Sequence, residues 1–136
     1  MFTLGGGTVS WKSKKQTCIT HSTMESEFVA LSETGKEAEC LKEILYEIPL
    51  GPKIISSIPI MCDSQATLAK AYNEVYNGKS RHMSLRHDYI KKLIKSGIIS
   101  LNYVKSIENL ADPLTKPLNR DLVNSTTRRM GLKLLN

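Results

Sequence analysis

The 136-residue chain has no apolar run that approaches membrane-spanning length. Its start, Met1 to Gly7, lacks the basic region and apolar core of a secretory signal. Only three cysteines are present, an odd count that points to a reducing compartment, cytoplasmic or nuclear. Cys18, Cys40 and Cys62 lie far apart, so no pair has the short spacing of a zinc cluster. No internal repeat, low-complexity tract or linker interrupts the chain, and the length suits a single domain.

What is present is ordinary globular material with a basic bias. Hydrophobic residues make up 40% and charged residues 24%, which excludes disorder along the whole length. The formal net charge is +6 and the sequence pI about 9.3. A basic balance favours polyanionic partners such as nucleic acid or an anionic membrane. The plainer alternative is a solvated, lysine-rich surface.

The pattern predicts alternating strands and helices. Phe2–Leu4, a Gly5-Gly6-Gly7 turn and Thr8–Thr20 read as a hairpin over residues 2–20, its first strand cut short. Ser22 and Glu25 form a capping box, and Met24, Phe28, Leu31, Ala38, Leu41 and Leu45 recur at helical spacing. A long helix over 22–47 follows, ending before Pro49. Leu50–Ser57 reads as a loop and 58–63 as a short buried strand. Helices are expected over 64–72 and 83–96, the second closed by Gly97, then a strand over 98–105. The C-terminal segment 110–136 is basic, with a short helical turn at 110–115.

Three carboxylates stand out. On a wheel turning about 100° per residue from Phe28, the apolar stripe spans roughly 220° to 360° and Glu27 falls near 260°, towards the sheet. Glu25 falls outside it, where capping explains it. A carboxylate facing the packed side is costly unless it is paired or binds a metal. The alternative for Glu27 is a wet face close to the helix start. Asp63 stands at the carboxyl end of a strand, where ligand sites gather in α/β sheets, although an N-cap explains it equally. Asp112 precedes Pro113, an ordinary helix start. If the three converge, hard cations such as Mg2+ would relieve their repulsion.

The ordered motifs resemble a known family. Ser10-Trp11-Lys12-Ser13-Lys14-Lys15-Gln16 looks like the strand before the first helix of copia-type retrotransposon ribonuclease H domains. Ser22-Thr23-Met24-Glu25-Ser26-Glu27-Phe28 resembles their S-x-x-E-A-E-Y motif, with Ser26 for Ala and Phe28 for Tyr. Cys62-Asp63-Ser64-Gln65, Arg81-His82-Met83 with His87, and Ala111-Asp112-Pro113-Leu114-Thr115-Lys116 resemble the C-D-N/S-Q, K-H-I…H and A-D-x-L-T-K segments.

The resemblance implies an α/β fold with a ribonuclease H-like mixed sheet flanked by helices. It implies hydrolysis of RNA in RNA–DNA hybrids by metal-activated water, releasing a 3′-hydroxyl and a 5′-phosphate. Glu27, Asp63 and Asp112 would be the catalytic, metal-binding acids, holding two Mg2+ (or Mn2+) ions in the intact family domain. Partners would be an RNA–DNA hybrid or other nucleic acid and an upstream reverse transcriptase region, with no membrane. Lys12, Lys14, Arg81, His82, Arg86, His87, Lys91 and Lys92 are candidate nucleic-acid contacts. His82 and His87, five apart, do not share a helix face, and hydrogen bonding within the fold is their alternative role. Trp11 is either a base-stacking ring or a half-buried strand residue.

The sequence departs from the family in one respect. A first, central strand bearing an Asp-Ala-Asp-type motif normally precedes the hairpin, and nothing before Phe2 supplies it. The expectation is a partial domain of impaired activity, whose hairpin and 58–63 strand lose the strand that joins them. A non-catalytic nucleic-acid-binding remnant and an inactive truncated reading frame are the competing readings.

Overall fold

Gly5 and Gly6 have φ of 59° and 83°, left-handed values that glycine adopts without strain. Two such residues in succession make a tight hairpin turn matched to strand twist. They join β1 (Phe2–Leu4) to β2 (Gly7–Ser10), paired antiparallel with an irregularity between Phe2 and Thr3. The strand expected over Thr8–Thr20 ends at Ser10. Its partner β1 has three residues, and Phe2 already pairs with Ser10, so nothing in β1 continues the ladder. Trp11 to Thr17 have no regular secondary structure.

This computed structural model describes residues 1–49, 57–78 and 80–132. The loop expected at Leu50–Ser57 lies outside them except for Ser57. The chain divides into two compact units, one formed by Met1–Thr17 with Lys105–Asn136, the other by Cys18–Val104.

In the first unit the hairpin packs on a helix that was not among the expected elements. That helix, α4 (Arg120–Arg129), starts at Asn119, whose side chain accepts a hydrogen bond from the Leu122 amide. Gly131, at φ 71°, closes it. The Gly131 amide donates to the Arg128 carbonyl and the Leu132 amide to the Thr127 carbonyl, a Schellman end. The Thr8 amide and hydroxyl both donate to the Met130 carbonyl, at 3.2 and 3.1 Å. A Cβ on Gly131 would strike the Gly6 carbonyl, so the hairpin turn and the helix end meet backbone to backbone.

The second unit is built on α1 (Thr23–Glu47). Ser22 caps it by accepting from the Glu25 amide at 3.2 Å. The Glu25 carboxylate accepts in turn from the His21 amide at 2.9 Å, the reciprocal arrangement read from the sequence but shifted one residue outward. Strand β3 (Ile58–Cys62) follows, then α2 (Gln65–Tyr72), α3 (Arg81–Lys95) and β4 (Ile99–Tyr103). β3 and β4 pair in parallel with Ile58 opposite Ile99, so α2 and α3 form the crossover. α3 ends in a second Schellman motif around Gly97 at φ 68°, as its position predicts.

The core lies on one face of this sheet. Phe28, Leu31 and Ala38 of α1, Met83, Ile90 and Leu93 of α3, and Ile58, Ile60, Ile99 and Leu101 are buried. β3 was expected to be buried throughout. Instead Pro59 and Met61 are exposed, Met61 to 58%. Strand residues alternate between faces, and the helices cover only one face of this pair. Among the described residues the hairpin and the parallel pair are two separate two-stranded sheets. Among the described residues the architecture is mixed α/β, with four α-helices and small sheets.

Candidate active site

Asp63 follows β3 at its carboxyl end, and α2 begins two residues later. The cap of α2 is Ser64, whose hydroxyl accepts from the Thr67 amide at 3.2 Å. Capping therefore does not account for Asp63. The same first turn of α2 presents the Thr67 hydroxyl, fully buried, which donates to Glu27 Oε2 at 3.2 Å. Glu27 and Glu25 are both half-buried on α1, and Glu25 accepts from the His21 amide at the helix cap.

Cys62 reports on both carboxylates. Burial pushes its thiol up first, against a smaller downward pull from the Ser64 backbone. The negative charges of Asp63 and then Glu27 push it up further. Thr67, which holds Glu27, also donates its amide to Ser64, the residue after Asp63, so Glu27 of α1 lies beside the turn that carries Asp63.

Asp112 is in the first unit, in a 3₁₀ turn (Asp112–Leu114) with Pro113 in its first positions. Its carboxylate does not cap that turn. It pairs with Lys116 Nζ at 3.1 and 3.2 Å. Among the described residues no group of three or more His, Cys, Asp or Glu is gathered closely enough to hold a metal ion. The donor chemistry of the Glu27–Asp63 pair is hard oxygen, which suits a Mg2+ ion that keeps several of its waters.

The basic candidates fare differently from one another. Lys12, Lys14, Arg81, His82 and Lys92 are exposed. Arg86 instead donates from Nη1 to Ser32 Oγ at 2.7 Å and to Glu33 at 3.0 Å, joining α3 to α1. Lys91 bridges Glu74 at 2.8 Å. His87 is corrected outright as a nucleic-acid contact. It is 1% exposed, its Nε2 lies 3.0 Å from the Lys70 carbonyl, and its ring lies against Phe28 and Tyr76. A ring so enclosed joins α3 to α2 and has no surface for a phosphate. Trp11 is corrected the other way: it is 63% exposed, not a half-buried strand residue.

Comparison with known proteins places this geometry in context. Over 132 residues, 97% of the chain, it is 36% identical to a retrovirus-related Pol polyprotein from transposon TNT 1-94 of Nicotiana tabacum. The chain is homologous to retrotransposon Pol polyproteins. Those from transposons RE2 and RE1 of Arabidopsis thaliana are 30% and 29% identical, each over 95% of the chain. The chain spans about a tenth of the length of these curated Pol relatives. No family model matches, and no solved structure matches.

Thr67 is the site residue that sequence reasoning missed. Its value depends on α2 lying beside α1, and no local pattern encodes that. α4 was legible in principle, through Asn119 ahead of it and Gly131 behind it. Its Ser125-Thr126-Thr127 run, poor in helix formers, hid it.

Proposed function

We propose that this chain is the ribonuclease H region of a retrotransposon Pol polyprotein, cleaving RNA in RNA–DNA hybrids. The observation that carries the reading is the placement of Glu27 beside the turn that bears Asp63, through the bonds of Thr67 to Glu27 and to Ser64. It occurs in a chain homologous to Pol polyproteins over nearly its whole length. In this reading Glu27 and Asp63 bind a hard cation. When bound, Mg2+ supplies a water of lowered pKa and stabilises charge at the phosphate. In this reading Glu27 and Asp63 supply the oxygens, and the Thr67 hydroxyl helps to hold Glu27 through its 3.2 Å bond.

The isolated chain cuts weakly in this reading, because no three-ligand group is assembled among its described residues. The test compares this chain with a longer polyprotein segment that includes it, on a labelled hybrid with Mg2+ or Mn2+. The longer segment is expected to cleave the RNA strand, and Glu27→Gln or Asp63→Asn to abolish cleavage. If the longer segment leaves the hybrid whole, or the two variants cut normally, the reading is wrong. The missing three-ligand group also favours a second reading, a nucleic-acid-binding segment without catalysis. That reading predicts salt-dependent hybrid binding with no metal-dependent cleavage.

A further inference from the structure

The net charge of +6 is not spread over the molecule. The unit Cys18–Val104 holds ten Lys and Arg against ten Asp and Glu and is formally neutral. The unit Met1–Thr17 with Lys105–Asn136 holds nine against three and carries the entire excess. Four cations of the neutral unit are also paired: Lys36 and Arg86 bridge Glu33, and Lys91 and Lys95 bridge Glu74. In the basic unit Lys116 is paired with Asp112 at 3.1 Å. Lys12, Lys14, Lys15, Arg120, Arg128 and Arg129 all lie exposed.

The fold brings these cations into one unit from both ends of the chain. Thr8 of β2 is fixed to the Met130 carbonyl, immediately after Arg128 and Arg129 on α4. β2 then runs into Trp11 and the lysines, a segment free of regular structure. Trp11, 63% exposed, stands at the start of this basic run and adds a large aromatic face. Cations beside an exposed ring match an unpaired nucleic-acid strand, which offers them phosphates and a base. An anionic membrane would meet the same charge but offers no base for the ring.

We infer that the first unit, through Trp11, the Lys12–Lys15 run and the Arg128–Arg129 end of α4, is a single-strand nucleic-acid binding surface. The cations of α3 are not part of it. The inference rests on charge distribution and exposure and needs no cutting by the acids.

The test uses the 136-residue chain in EDTA, which removes cleavage from the readout, with labelled oligo(dT) as probe. Binding is expected to fall with salt, and Trp11, the sole tryptophan, to lose fluorescence on saturation. The Lys12→Gln/Lys14→Gln/Lys15→Gln variant is expected to lower the salt slope by about 2, at about 0.7 per single-strand phosphate contact, and Arg128→Gln/Arg129→Gln by about 1.4. Arg81→Gln/Lys92→Gln should leave the slope unchanged. Loss concentrated in the α3 variant overturns the inference. So does unchanged Trp11 emission in the unsubstituted chain at saturation. Binding to phosphatidylserine vesicles in place of oligo(dT) overturns it as well, in favour of a membrane surface.

Discussion

Thr67 connects two elements through one hydroxyl. Its Oγ1 donates to Glu27 Oε2 at 3.2 Å and lies 3.5 Å from the Met24 carbonyl, so one proton serves two acceptors on α1. Thr67→Val keeps the shape and removes the donor, and should cost about 1–2 kcal/mol in urea unfolding, with Thr67→Ser recovering much of it. Equal stability of Val and wild type would show that the bond contributes nothing. Cys62 gives a second test that needs no activity. Its thiol is held up by burial and then by Asp63 and Glu27. Asp63→Asn should move its alkylation profile to lower pH, and Glu27→Gln should move it the same way by less. An unmoved profile in both variants would separate these acids from Cys62. At this scale the sequence distinguished Glu27 from Glu25, because both signals are local: a wheel position and a capping spacing. It could not choose Ser64 over Asp63 as the cap of α2, since both residue types cap well and only the backbone decides.

The contact between α1 and α3 depends on a glycine. Gly35 occupies the apolar stripe between Leu31 and Ala38, and a Cβ there would come within 2.9 Å of Leu93 and 3.0 Å of Ile90. Helix propensity alone favours Gly35→Ala by about 1 kcal/mol. Overpacking works against it at about 1–3 kcal/mol, so net destabilisation in thermal unfolding is expected. A stabilised variant would mean that the helices separate freely. The polar side of the same contact predicts a pH effect. Bonds from Lys36 first and Arg86 second hold the Glu33 carboxyl below its ordinary value of 4.5. A depressed carboxyl contributes stability above the unfolded value, and that contribution disappears as pH falls through the folded one. Glu33→Gln should therefore reduce stability at neutral pH and flatten its decline below about pH 4.5, as followed by urea midpoints. A decline as steep as that of the wild type would remove Glu33 from the acid response. The helices α1, α2 and α3 and strand β4 were readable as elements, since caps and periodicity are local. The early end of β2 and the exposed side of β3 were not, because both depend on which strands stand beside them.

For the whole molecule the decisive property is the uneven charge. Nine cations against three anions in the first unit repel one another, whereas the second unit is balanced. Raising salt screens exposed charges beyond about 8–10 Å. Amide exchange should therefore slow with added salt in the hairpin and α4 while changing little in α1 and α3. Uniform slowing across both units would contradict a segregated charge.

The sequence by itself determined the likeness to retrotransposon Pol polyproteins, the alternation of helices and strands, the capping of α1 and the choice of candidate acids. Each is carried by residue types at short spacings, which the chain shows before it folds. Only the tertiary structure decided that Thr67 serves Glu27, that Ser64 and not Asp63 caps α2, and that His87 is enclosed. It alone also placed the whole charge excess in a unit joined from both ends of the chain. These are relations between residues far apart in sequence, set by which surfaces the packing buries and which segments it brings together.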